Sequence, residues 1–91
     1  MVVVVYVVVC YDVGVSRVNK VRIFLKQYLD WIQNSVFEGE LTKSKLREVE
    51  AGLKGIIDEN EDSIVIYQVR DRGILKRKCI GEPKVELSTI L

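Results

Sequence analysis

The chain has 91 residues, 48% of them hydrophobic and 30% charged, with 14 Lys+Arg against 13 Asp+Glu. That length is one domain too small to enclose a large pocket alone, and the near-neutral balance excludes a uniformly basic nucleic-acid binder, so any such surface must come from local clustering. Histidine is absent, which removes the usual general base and the usual nitrogen ligand for transition metals; catalysis here must run on carboxylates, hydroxyls, cations or a hard metal ion.

Residues 2–11 are strand formers almost throughout, and the run stops at Asp12. The segment lacks the basic flank and cleavage site of a targeting peptide and is too short to span a bilayer, so it reads as the central strand of a globular, cytoplasmic-type protein with no membrane partner. Asp12 thus stands at the carboxyl end of a buried strand, where an exposed loop over a rigid base places ligands. Two roles are open to it. It caps the turn into the next helix through an Asx-type hydrogen bond, or it holds Mg²⁺ or Mn²⁺ together with Asp12 of the partner subunit.

From Ser16, the expected N-cap, the period changes: Val18, Val21, Leu25, Tyr28 and Leu29 fall on one helical face. A second helix is expected from Thr42, with Leu41 and Leu46 placed as a hydrophobic staple and a stripe of Leu46, Val49, Leu53, Ile56 and Ile57. Between them residues 31–41 are extended in character, too short for two full strands and a clean hairpin, with a kink or bulge near Asn34-Ser35. Residues 63–70 form a strand, Asp71-Arg72-Gly73 a turn and residues 74–80 another strand, while Pro83 precedes a short edge strand. Two strand-helix-strand units of this kind predict an α+β, ferredoxin-like βαββαβ sandwich, an antiparallel sheet with both helices on one face.

Only one face of such a sheet meets the helices, yet residues 2–9 and 64–69 are apolar on both faces, which predicts a homodimer packed sheet to sheet. Cations crowd two places. Arg17, Lys20, Arg22 and Lys26 lie on the first helix, where a solvated face is the ordinary reading. Arg70, Arg72, Lys76, Arg77 and Lys78 crowd the expected C-terminal hairpin, where phosphate contacts would relieve their repulsion; these residues position a nucleic-acid backbone without reading bases. Tyr6, Trp31, Phe37 and Tyr67 read as core in preference to stacking platforms, and Cys10 and Cys79 as buried small hydrophobes.

Tyr11-Asp12 ending the first strand, Arg17 and Phe24-Leu25 in the first helix, Gln33-x-Ser35-Val36-Phe37-x-Gly39-x-Leu41 before the second, then Leu53, Val65-x-Tyr67 and Ile80-Gly81 cover nearly the whole chain. In these the sequence resembles the CRISPR-associated protein two family, the small partner of the CRISPR integrase (CRISPR-associated protein one) in spacer acquisition. The resemblance implies a ferredoxin-like homodimer, residues 1–81 forming the core and 82–91 a segment whose strand at 84–87, with Val85 and Leu87 in the interface, adds to the second copy's sheet. It implies Asp12 as catalytic Mg²⁺ ligand in members that are endonucleases of RNA or DNA. Of the helix cations, Arg17 is counted with the C-terminal cluster among the nucleic-acid contacts. Trp31 stands where many members carry arginine. The family also contains the other mechanism, a non-catalytic scaffold that bridges DNA between integrase dimers. A ferredoxin-like module binding a small effector is the rival outside the family, and the basic segment argues against it.

Overall fold

The computed structural model describes residues 2–82. Its elements run β1 (Val4–Asp12), α1 (Val15–Lys26), β2 (Asp30–Gln33), β3 (Val36–Thr42), α2 (Lys43–Ile56) and β4 (Ser63–Val69). The strands pair in the order β2-β3-β1-β4, all antiparallel, which is the expected ferredoxin-like α+β sheet. Successive side chains of a strand face opposite ways. On β1, Val5, Val7, Val9 and Tyr11 sink into one cluster with Phe37 and Leu41 of β3, Val21 and Leu25 of α1, and Leu46, Val49 and Leu53 of α2. Each fully buried side chain of this size contributes about 1.5–3 kcal/mol, which anchors β1 beneath whatever its far end carries. Among the described residues no helix is long and apolar enough to cross a membrane.

Helix α2 starts as its cap chemistry dictates, with the Thr42 hydroxyl accepting from the Lys45 N–H at 3.0 Å. Helix α1 does not. Its N-cap is Gly14 instead of Ser16, and the Gly14 carbonyl accepts from the N–H groups of Arg17 and Val18. The reason lies far away in sequence, since the Gly14 N–H is held by the Asp62 carboxylate at 2.9 Å.

The stretch expected to be too short for a hairpin is one. Strands of four and seven residues flank a tight Asn34-Ser35 turn, in which Asn34 takes the left-handed φ of 38° that asparagine tolerates. The register shifts between Trp31 and Gln33, and the Trp31 indole N–H donates to the Asn34 carbonyl at 3.1 Å, closing the turn. The expected break was at the right residues; what makes room for two strands is the tightness of the turn.

The strand expected over residues 74–80 is absent. After β4 a 3-10 turn at Arg72–Ile74, with the Asp71 carboxylate accepting from the Gly73 N–H, leads into an irregular segment. Instead of pairing beside β4, this segment crosses the helix-free face of the sheet: Arg72 lies over the ring of Tyr6 on β1, and Arg77 pairs with Glu38 on β3. A buried carboxylate on that face draws the chain inward, so ion pairing outweighs strand propensity. The segment covers the face only in part, for Val4, Val65 and Tyr67 stay 42%, 47% and 59% exposed. Phe37 and Tyr6 are buried as expected, whereas Tyr67 is not, and Cys79 is exposed while Cys10 is half-buried. The dimer-pairing strand at 84–87, with Val85 and Leu87, lies outside the described residues.

Candidate functional site

Asp12 is the last residue of β1, exposed, and paired across the sheet with Ser63 at the start of β4. Two residues separate it from α1. The N–H groups at the start of that helix go to other acceptors, Gly14 to the Asp62 carboxylate and Arg17 and Val18 to the Gly14 carbonyl, so the Asx-type cap considered for Asp12 is not formed. The carboxylate that secures the turn is Asp62, which sequence reading passed over. Its Oδ1 accepts from the Gly14 N–H and from Arg17 Nη2, both at 2.9 Å. Its Oδ2 accepts from Arg17 Nε at 2.6 Å and from the Asp58 N–H at 2.9 Å. The Arg17 guanidinium holds the Asp62 carboxyl well below the usual carboxylate range, with the Asp58 and Gly14 amides assisting against the opposing effect of burial. Arg17 is raised in return, chiefly by the same hydrogen bonds.

Asp12 therefore presents a hard oxygen donor on a rigid base. Mg²⁺ is bound through one or two carboxylates and several waters, and an exposed strand-end aspartate fits that requirement as one of the two. Among the described residues there is no cluster of three or more acidic or cysteine side chains that would hold a metal within one chain.

The second assembly lies on the helix-free face. The Tyr6 hydroxyl donates to Glu38 Oε2 at 2.6 Å, and the same oxygen accepts from Arg77. Burial, then the hydrogen bond and charge of Glu38, push the Tyr6 phenol up to about 12. Arg72 adds a guanidinium 5.8 Å from the Tyr6 ring centroid.

These contacts divide the six cations assigned to nucleic acid. Arg17 is bound to Asp62, Arg77 to Glu38, and Arg72 is half-buried over Tyr6. Arg70, Lys76 and Lys78 are exposed. Nothing in a run of like charges shows which members face inward, and β3 carries two acids, Glu38 and Glu40, of which only Glu38 is buried.

Residues 5–77 match the family of the CRISPR associated protein Cas2. The chain belongs to the Cas2 family. The matched span of this Cas2 sequence contains Asp12, the Arg17–Asp62 pair and the Tyr6–Glu38–Arg77 cluster. It is 52% identical over 86 residues to the CRISPR-associated endoribonuclease Cas2 of Methanosarcina acetivorans, covering 94% of this chain and 99% of that one. With the CRISPR-associated endoribonuclease Cas2 2 of Archaeoglobus fulgidus it shares 55% identity over 84 residues, 92% of this chain and 91% of that one. A solved Cas2 crystal structure superposes with a TM-score of 0.85 at 47% identity, covering 91% of this chain and 93% of the other. The Streptococcus pyogenes Cas2 structure at pH 6.5 gives 0.75 at 30% identity, over 84% of this chain and 99% of the other.

Proposed function

We propose that this Cas2 chain is a Mg²⁺-dependent endonuclease acting on RNA, working as a homodimer beside the CRISPR integrase in spacer acquisition. The observation that carries the reading is the Asp12 carboxylate, exposed at the end of the central strand and relieved of capping duty by Asp62. Relatives about 50% identical are named endoribonucleases, which supports RNA as the substrate. Asp12 and Asp12 of the partner subunit would hold the metal; bound there, Mg²⁺ supplies a more acidic water and neutralises charge on the phosphodiester. Arg70, Lys76 and Lys78 face solvent on the segment leaving β4 and engage backbone phosphates, positioning the strand without reading its bases. The apolar side chains left open on the sheet, Val4, Val65 and Tyr67, support a second copy packed against that face.

The test is Asp12→Asn, which keeps shape and removes charge. Mg²⁺-dependent cleavage of single-stranded RNA is expected to fall at least about a hundredfold, with dimerisation and integrase binding intact. Cleavage at the wild-type rate in scrupulously purified variant would overturn the metal site, no cleavage by scrupulously purified wild type would leave a DNA-bridging scaffold, and preferential cleavage of DNA would overturn the choice of substrate.

A further inference from the structure

We infer that Asp62 and Arg17 form the positioning pair for Asp12, a role that rests on Asp12 being the reactive carboxylate. Three segments meet at one side chain. The Asp62 carboxylate, its side chain wholly sequestered, takes hydrogen bonds from the amide of the loop after Asp12, from the first turn of α1 and from the turn ahead of β4. The residue after it, Ser63, is the cross-strand neighbour of Asp12. Asp12 is thus fixed from both sides, along the chain through Gly14 and across the sheet through Ser63. Such rigidity matters for a carboxylate that must meet its symmetry mate across an interface, since a misplacement of about 1 Å costs roughly a hundredfold in rate.

Gly14 belongs to the same device. Its φ of −57° is open to any residue, so the demand there is for space: a Cβ would sit 2.7 Å from Arg17 Nη2 and 3.6 Å from Asp62 Oδ1. A side chain there obliges the guanidinium to shift from its present seat on the carboxylate. Arg17 is bidentate on Asp62, a geometry lysine cannot reproduce.

Asp62→Asn, Gly14→Ala and Arg17→Lys test the pair, with Asp12→Asn as reference. Each is assayed well below its melting temperature for kcat and KM on single-stranded RNA and for Mn²⁺ binding by titration calorimetry without RNA. The first three should lower kcat roughly 10- to 100-fold, hold KM within about twofold and weaken Mn²⁺ binding. Gly14→Ala keeps every charged group, so it reports even if Asp62→Asn loses its fold. Wild-type kcat and Mn²⁺ affinity in folded variants, with only the melting temperature lowered, would show a purely structural pair and overturn the inference while Asp12→Asn stays inactive. Wild-type cleavage and Mn²⁺ binding in Asp12→Asn would instead overturn the reading of Asp12, and the positioning role with it.

Discussion

Replacing Tyr6 by phenylalanine removes one oxygen from the face of the sheet that the C-terminal segment crosses, and the structure sets the size of the effect. The Tyr6 phenol is raised from 10.0 to about 12, so the folded protein favours its protonated form by roughly 2.7 kcal/mol at 1.36 kcal/mol per unit. Burial is the largest cause of that shift and the Glu38 hydrogen bond the next; a hydrogen bond to a charged acceptor itself contributes about 1.5–3 kcal/mol. Because the folded pKa lies above the unfolded one, this stabilisation is fully present below pH 10 and is lost as pH rises through about 12. Urea unfolding of wild type and Tyr6→Phe at matched concentration, between neutral pH and pH 11.5, should therefore show wild type more stable by about 2 kcal/mol near neutrality, the gap closing above pH 10. The buried Tyr11, also raised, is common to both proteins and cancels in the difference. A gap that does not change with pH would mean that the Tyr6 hydroxyl is not bonded to Glu38, and the account of how the segment is held to the sheet would fail.

The two glycines of α2 should respond in opposite directions to alanine. A Cβ at Gly52 meets the Phe24 ring at 2.1 Å, whereas one at Gly55 meets nothing within 4 Å, so thermal unfolding should show Gly55→Ala stabilised by about 1 kcal/mol and Gly52→Ala destabilised by about 1–3 kcal/mol. Lys76→Ala with Lys78→Ala should reduce the salt dependence of binding to single-stranded RNA by about 0.7 per lost phosphate contact, measured by fluorescence anisotropy across a salt series. Arg77→Ala should leave that slope unchanged and instead lower stability by roughly 3 kcal/mol, since it strands the buried Glu38 carboxylate. Asp62, held below the usual carboxylate range, contributes stability present above about pH 4 and lost as pH falls further; the stability difference between wild type and Asp62→Asn should shrink in acid unfolding below that pH, and a constant difference would refute the ion pair.

Local patterns determined most of the fold. The valine run marks β1, the stripes of Val21, Leu25 and Leu46, Val49, Leu53 mark which faces of the helices are buried, and Thr42 marks where α2 begins, because periodicity and caps act over a few residues and each is written where it acts. Asp12 was legible for the same reason, as a lone acid at the end of an apolar strand. Partner choice was not. Arg17 meets Asp62 across 45 positions and Arg77 meets Glu38 across 39, so whether a cation faces solvent or a buried carboxylate depends on distant residues that only packing brings together. That is why the start of α1 moved from Ser16 to Gly14, why residues 74–80 turn onto the sheet instead of forming a strand, and why a run of like charges separated, once folded, into exposed and buried members.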